Sequence, residues 1–404
     1  MIKYCRSCKS SDLRKIFSLG NLFFTGKFPK INQKIPKGKL ELLICNKCKL
    51  TQLSKNFSLK YMYNKDYGYQ SGINEAMVKH LKSVVDLVNK FIKLSKNDLV
   101  LDIASNDGTL LNLYKKKNII KFGIDPTLNK FKKNYENINL KNCNFFSKEI
   151  FFKKSKQKAK VITCISMFYD LKSPNVFLKG LKSVLDDDGI LILEQSDLSK
   201  MIKANSFDTI CHEHLEYYSI RSIKRLIESN NFKIVHHEYN EANGGSSRFV
   251  ICHSSYNKFK EYKKLNYLIK KEDNLNINNG KALSKMFYNL NKIKNSLNTI
   301  LYNIVKKNLI IHGYGASTKG NTLIQFFDLG RYINLISDRN IEKVGKFTPD
   351  KKMRIISEKE SRYMKPDYYL VFPWHFKNNI VIRERNRYKT KTKFIFPLPK
   401  IKII

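Results

Sequence analysis

The feature that most constrains the fold is a set of four cysteines near the N-terminus. Two C-x-x-C pairs are present, Cys5 with Cys8 and Cys45 with Cys48. Two residues between cysteines let both thiolates face one ion, and two such pairs complete a tetrahedral shell. The spacing therefore predicts a structural zinc site that folds the N-terminal module and leaves no open position for chemistry. Disulfides are the alternative, and a reducing cytoplasm opposes them.

Length and charge set broader limits. At 404 residues the chain is too long for one ordinary core, so we expect two or three domains. The formal net charge of +42 could indicate nucleic acid, a membrane surface or an anionic ligand. However, the excess is scattered lysine in a chain crowded with asparagine and isoleucine, which is typical of biased base composition. The start does not resemble a signal peptide, and no apolar run approaches the ~18 residues of a membrane span, so we expect a cytoplasmic protein without a membrane partner.

The stretch NDLVLDIASNDGTLLNLY predicts a strand, a turn and a helix, and a second strand over 119–124 ends at Asp125. In a doubly wound sheet, ligands bind beyond the carboxyl ends of the strands, and an acid after the second strand can bind ribose hydroxyls. The turn A-S-N-D-G lacks the G-x-G-x-x-G of a dinucleotide site. A nucleoside ligand without a pyrophosphate fits better, and S-adenosylmethionine is the one we expect. The predicted cofactor residues are Asp102, Ala104, Ser105, Asn106, Gly108 and Asp125.

Later segments extend this α/β pattern. VITCISMF predicts a buried strand, FLKGLKSVL a helix and DDDGILILEQ a turn followed by a strand, an order that suits a class I methyltransferase sheet. Another α/β nucleotide-binding domain is the alternative. Near the C-terminus, a strand over 308–312, a glycine-containing turn, a helix over 321–327 and a strand ending at Asp338 predict a second Rossmann-like domain. Its glycine spacing is not the dinucleotide fingerprint, so NAD is not expected.

The segment FDTICHEHLEYYS is rich in groups that carry protons. Methylation of a carbon, which the family resemblance given below implies, requires removal of a proton beside a ketone and stabilisation of the enolate oxygen. A histidine has a suitable pKa for the base, and acids or tyrosines can orient it or donate to the oxyanion. A zincin site is disfavoured, because that chemistry needs H-E-x-x-H.

The ordered set of these motifs resembles the three-domain sugar C-methyltransferase family of S-adenosylmethionine enzymes. The resemblance implies a class I methyltransferase domain between an N-terminal zinc-binding module and a C-terminal Rossmann-like α/β domain. We expect the zinc module over 1–70, the methyltransferase domain over 71–255, a helical connector over 256–300 and the substrate-binding domain over 301–404. The resemblance further implies that the substrate is a nucleotide-linked keto-deoxysugar, in surface glycan or natural-product sugar biosynthesis.

The resemblance also assigns site residues. His214 matches the family's catalytic histidine, Glu213 the adjacent acid, and Tyr69 a tyrosine brought to the sugar, although Tyr67 could be that match. His212 is either a substrate contact or a structural residue. The remaining expected substrate residues are Asn243, Gly244, Tyr314, Lys319 and Asn321, with Lys319 suited to phosphates. The family usually has tyrosine immediately before H-E-H, where this chain has Cys211, so a hydrogen-bond donor is lost or relocated.

Two other functions stay open at this point. An RNA methyltransferase would use the zinc module and the basic charge to bind phosphates, although the N-P-P-Y-like turn is absent after VITCISMF. A non-catalytic scaffold would explain Cys211 and the glycine-poor turn. The sequence does not indicate an oligomeric state.

Overall fold

A computed structural model describes residues 1–63 and 67–404, and three sheets organise them. The N-terminal module is an antiparallel sheet of β1 (Leu13–Phe23), β2 (Lys37–Cys45) and β3 (Thr51–Leu53), followed by the short helix α1 (Leu59–Met62). Cys5 and Cys8 precede β1. Cys45 is the last residue of β2, and Cys48 lies in the turn between β2 and β3.

The middle sheet has seven strands. In chain order they are β4 (Leu99–Ile103), β5 (Ile120–Ile124), β6 (Leu140–Asn142), β7 (Ala159–Ile165), β8 (Leu185–Ser196), β10 (Phe232–Asn240) and β11 (Ser246–His253). The spatial order is β10-β11-β8-β7-β4-β5-β6, and only β11 pairs antiparallel with its neighbours. This arrangement confirms the predicted class I methyltransferase sheet.

Helices cover both faces of this sheet. They are α2 (Glu75–Phe91), α3 (Thr109–Leu113), α4 (Lys148–Phe152), α5 (Pro174–Val184), α6 (Leu198–Lys203) and α7 (Ile220–Glu228). Because both faces are covered, every residue of β4 is buried, with Leu101 in one apolar cluster and Val100 in the other. The predicted D-D-G turn lies inside β8, where Asp186 to Gly189 interrupt the register against β7.

Two helices, α8 (Lys264–Asn274) and α9 (Lys281–Lys306), connect this sheet to the C-terminal one. The strands of the C-terminal sheet are β12 (Ile311–Tyr314), β13 (Leu335–Asp338), β14 (Arg354–Ser357), β15 (Tyr368–Val371), β16 (Lys393–Phe396) and β17 (Lys402–Ile403), and its helices are α10 (Thr318–Phe327), α11 (Glu358–Tyr363) and α12 (Lys377–Ile382). The spatial order is β14-β13-β12-β15-β16-β17, and all strands are parallel except β17. The predicted strand over 308–312 begins three residues later, because α9 extends to Lys306 and Asn308 adopts a left-handed conformation.

The N-terminal module contacts both other domains. Strand β9 (Glu216–Tyr217), from within the predicted methyltransferase domain, pairs with β3. On the opposite side, Phe17 stacks on Phe287 with ring centroids 4.7 Å apart, and the Phe23 amide donates to the Gln325 side chain over 2.8 Å. No helix in the described part of the chain is both long and apolar enough to cross a bilayer. The domain limits proposed above remain predictions.

Candidate functional site

A cavity of about 370 Å³ lies where the three domains meet. Residues after β4, β5 and β7 form one wall, the H-E-H segment forms another, and the first turn of α10 with residues 373–376 forms a third. The cavity therefore opens at the carboxyl ends of the parallel strands, where doubly wound sheets bind ligands. Of the predicted site residues, eleven line it: Tyr67, Tyr69, Asp102, Ala104, Ser105, Asn106, Asp125, Glu213, His214, Asn243 and Lys319.

The turn after β4 is held tightly against the end of β5. The carboxylate of Asp125 accepts the Asn106 amide over 2.9 Å through Oδ2 and the Thr127 amide over 2.6 Å through Oδ1. Ala104 and Asn106 have φ of 59° and 50°, a conformation that non-glycine residues adopt where the surroundings enforce it. Gly108 caps α3 at φ 74° and does not line the cavity, so it shapes the turn without contacting a ligand there.

The chemistry of this wall fits S-adenosylmethionine. Three acids, Asp102, Asp107 and Asp125, line it, which suits a ligand that carries an ammonium and a sulfonium charge. Burial raises the pKa of Asp102 to about 7, although the hydroxyl of Thr163 donates to it over 2.5 Å. A cation bound beside it would favour the charged carboxylate. Phe145 and Met167 line the same cavity and would supply apolar contacts for the adenine ring of the cofactor.

His214 has a defined hydrogen-bond partner. Its Nδ1 lies 2.8 Å from the carbonyl oxygen of Thr209, and because a carbonyl only accepts, Nδ1 carries the proton. The lone pair of the neutral ring is therefore on Nε2. Burial lowers the pKa of His214 to about 4, which keeps the ring neutral at physiological pH. The Tyr169 ring packs against it with centroids 4.2 Å apart.

Glu213 lies between His214 and the N-terminal module. Thr25 donates its hydroxyl to Oε2 over 3.4 Å, and burial raises the pKa of this carboxyl. Gly26 lies directly behind it: a Cβ at Gly26 would be 1.9 Å from Glu213 Oε1. A side chain at Gly26 would displace the Glu213 carboxylate, so glycine lets the N-terminal module approach the H-E-H segment this closely.

His212 faces away from the cavity. Its ring packs between Phe24 and Phe57, with centroids 4.6 and 4.8 Å away, and Nε2 lies 3.2 Å from the Gly38 carbonyl oxygen. These contacts tie the H-E-H segment to the N-terminal module. Of the two readings that the sequence leaves open for His212, the structural one agrees with this position.

The C-terminal domain contributes Lys319, whose Nζ donates to the Asn243 carbonyl over 2.7 Å. Gly244 is adjacent, and a Cβ there would be 3.7 Å from Lys319 Nζ, but Gly244 does not itself line the cavity. Two expected substrate residues lie elsewhere. Tyr314 donates its hydroxyl to Glu384 over 2.8 Å, and Asn321 donates to the Thr25 carbonyl over 2.7 Å, so both are engaged within and between domains.

Several cavity residues were not predicted. Asp170 and Tyr169 follow β7, Tyr63 follows α1, and His375 lies in the loop after β15. The rule that ligands bind after parallel strands could have indicated Asp170, because SMFYD directly follows the VITCI strand. Nothing in the sequence places Tyr63 or His375 beside it, since both approach from other domains.

The four cysteines form the expected cluster. Their sulfurs all lie within 4.8 Å of one another, with Cys5 to Cys48 and Cys8 to Cys45 each 3.5 Å apart. Four thiolates this close together fit a tetrahedral zinc ion. None of the four cysteines lines the cavity, so a zinc ion bound by them would have a structural role.

Comparisons with known proteins agree with this architecture. Three family models match along the chain: "Putative zinc binding domain" over 5–63, "Methyltransferase domain" over 77–237 and "C-methyltransferase C-terminal domain" over 241–399. The C-methyltransferase NovU of Streptomyces niveus is 25% identical over 413 residues, covering 100% of this chain and 97% of that protein.

Solved structures resemble part of the chain more distantly. A S-adenosylmethionine-dependent methyltransferase from Clostridium acetobutylicum ATCC 824 has 10% identity and a TM-score of 0.35, covering 44% of this chain and 92% of that one. Magnesium protoporphyrin IX methyltransferase from Synechocystis PCC 6803 with bound SAH has 15% identity and a TM-score of 0.34, covering 45% and 88%. The three matched domains in this order, together with the full-length likeness to a C-methyltransferase, identify the chain as a S-adenosylmethionine-dependent methyltransferase with the domain organisation of the three-domain C-methyltransferases.

Proposed function

We propose that this C-methyltransferase acts on a nucleotide-linked keto-deoxysugar, at a carbon beside the ketone, in the cytoplasmic biosynthesis of surface-glycan or natural-product sugars. The observation that carries the proposal is the tautomer and the neutral charge of His214. Its Nδ1–H donates to the Thr209 carbonyl, so Nε2 carries the lone pair of a neutral base. His214 lines the same cavity as Asp102, Asp107 and Asp125. S-adenosylmethionine, when bound, supplies an electrophilic methyl group, and Asp102, Asn106 and Asp125 would hold it.

The chain's own residues then prepare the acceptor carbon. His214 Nε2 takes the proton beside the ketone, and the remaining electron pair becomes the enolate. Glu213 and Tyr69 would hold the sugar against this base. Tyr69 lines the cavity and is 45% exposed, so it lies towards the open side, where an incoming sugar would meet it first. Tyr67 is the alternative for this role and lies deeper, since it is only partly exposed.

A nucleotide diphosphate would bind at the C-terminal wall. Ser317, Thr318 and Lys319 form the start of α10, and all three line the cavity. Backbone amides at a helix N-terminus and a lysine ammonium both favour phosphate oxygens. The acids on the opposite wall of this cavity favour a small acceptor over RNA, whose backbone they would repel.

Mass spectrometry of the products tests the substrate class. Zinc-loaded protein would be incubated with S-adenosylmethionine carrying a deuterated methyl group and a panel of nucleotide-linked 4-keto sugars. We expect labelled methyl on one sugar, with the site identified by NMR as the carbon next to the ketone. Label on a hydroxyl oxygen, or no transfer to any member although the cofactor binds, would contradict the proposal.

A further inference from the structure

Asp170 is a buried acid in the cavity with one oxygen unengaged. It ends the turn after β7, and its side chain is only 6% exposed. Oδ2 accepts the hydroxyl proton of Tyr63 over 2.6 Å. Oδ1 is buried and has no hydrogen-bond partner among the described residues. A buried polar atom normally finds a partner, so one left open beside a ligand cavity indicates a contact made by the ligand.

The surroundings of Asp170 favour its neutral form. The groups that act on it are Tyr63, Glu213 and Glu216, none of them a cation, and burial is the largest influence. Burial and the two glutamates hold the pKa of Asp170 well above its usual value, although the hydrogen bond from Tyr63 acts in the opposite direction. An isolated carboxylate in such a place is costly, whereas a carboxylic acid is not. Because Oδ2 already accepts from Tyr63, the proton belongs on Oδ1, the oxygen without a partner.

Four other groups near this site do not offer a free donor to the cavity. Cys211 is fully buried and does not line the cavity. The Tyr217 hydroxyl donates to the His214 carbonyl over 3.0 Å, and the Tyr218 hydroxyl donates to Glu216 over 2.5 Å. Tyr63 gives its proton to Asp170. The donor that a tyrosine before H-E-H would have supplied must therefore come from another group.

We propose that Asp170 is a catalytic residue whose protonated carboxyl donates a hydrogen bond from Oδ1 to the ketone oxygen of the acceptor as this oxygen becomes an enolate. The inference rests on the proposed function, since it requires a ketone. His214 Nε2 removes the proton as the C–H bond breaks. The electron pair of that bond forms the carbon–carbon double bond, and the C=O pair moves to oxygen, where Asp170 and, through it, Tyr63 stabilise the charge. The Asp170 proton remains on Asp170.

Two variants distinguish a donor from a carboxylate. Asp170→Asn keeps the shape and, with Oδ1 accepting from Tyr63, presents an amide N–H to the cavity. Asp170→Ala removes the group. The readout is deuterium uptake from heavy water at the carbon beside the ketone of nucleotide-linked 4-keto sugars. We expect Asp170→Asn to keep the exchange rate within about tenfold of the unmodified enzyme and Asp170→Ala to lose roughly 10²–10³-fold. Equal large losses in both variants would mean that the charge is needed, and no loss in either would mean that Asp170 makes no contact; each overturns the inference.

A measurement without substrate separates this inference from the proposed function. The infrared difference spectrum of the unmodified protein minus Asp170→Asn, near neutral pH, should contain the C=O band of a protonated carboxylic acid that shifts in heavy water. Carboxylate bands in its place would refute the proposal whatever the substrate is. If the acid band is present and no keto sugar is exchanged or methylated by the unmodified enzyme, the substrate class is wrong while the protonation of Asp170 stands. Melting temperature and cofactor affinity, measured on both variants, identify a variant that fails to fold.

Discussion

The pKa of His214 can be tested directly, because its base role requires a neutral ring. Burial lowers the pKa from 6.5 to about 4. That difference corresponds to about 3 kcal/mol in favour of the neutral ring. At pH 5.5, His214 would then be more than about 95% neutral, whereas a histidine with an ordinary pKa would be only about 10% neutral.

The assay is an NMR titration of ¹⁵N-labelled histidine rings, with the His214 signal assigned by its absence from His214→Asn. We expect a midpoint near pH 4, and a Nδ1-protonated tautomer throughout the neutral range because of the Thr209 contact. Lys319→Met should raise the midpoint, since the lysine charge contributes to the lowering. A midpoint near 6.5 in the unmodified protein would refute the reasoning, because the ring would then be hydrated and not buried.

The same pKa has a consequence for stability. A histidine whose pKa is lower in the folded chain than in the unfolded chain stabilises the fold above pH 6.5. Its contribution is lost as the pH falls from 6.5 towards 4, because the unfolded state binds the proton more readily. The unfolding free energy of His214→Asn should therefore depend less on pH across this window than that of the unmodified protein.

Three further perturbations probe the other parts of the molecule. Cys45→Ser should abolish stoichiometric zinc by elemental analysis and unfold the N-terminal module, and retention of zinc would contradict a four-thiolate site. Asp125→Ala should weaken S-adenosylmethionine binding about 10- to 100-fold by calorimetry, since it removes a charged acceptor and loosens the turn at Asn106; unchanged affinity would place the cofactor elsewhere. Arg248→Met leaves the fully buried Glu194 with the His80 ring, 2.5 Å away, as its remaining ion-pair partner, and should cost about 3–5 kcal/mol in chemical unfolding. Breaking the exposed Lys79–Glu75 pair should cost less than about 0.5 kcal/mol, and equal effects of the two changes would contradict this.

The middle sheet was predictable because its strands are continuous apolar runs that end in polar turns. LVLDI is buried along its whole length, so the run alone indicates a strand covered on both faces. The acid after the second strand, Asp125, followed from the same topology rule. The strand at 308–312 was misplaced because the helical spacing of α9 continues to Lys306, and the sequence does not mark where that helix ends.

The site was only partly predictable, because its walls come from three domains. His212 and His214 are two residues apart, but the segment between Ile210 and Leu215 is irregular, so alternation cannot tell which one faces the cavity. The environment decides it: Phe24 and Phe57 enclose His212, while Thr209 orients His214. The contacts of His212 with Phe24 and Phe57 are long-range, whereas Thr209 is only five residues from His214.

Tyr314 and Asn321 illustrate the same limit. Both lie in or near the glycine-containing turn that suggested a substrate site, yet Glu384 and Thr25 engage them. The first turn of α10, with Lys319, is the part of that motif that reaches the cavity.

The claim that His214 is the base is tested most directly by hydrogen exchange beside the ketone in the absence of methyl transfer. A nucleotide-linked 4-keto sugar that the unmodified enzyme methylates would be incubated in heavy water with S-adenosylhomocysteine and either the unmodified enzyme, His214→Asn or His236→Asn, a matched control in β10 outside the cavity. We expect deuterium at the carbon beside the ketone with the unmodified enzyme and His236→Asn, and a loss of roughly 10²–10⁴-fold with His214→Asn. Exchange by folded His214→Asn at the rate of the unmodified enzyme would show that another group is the base.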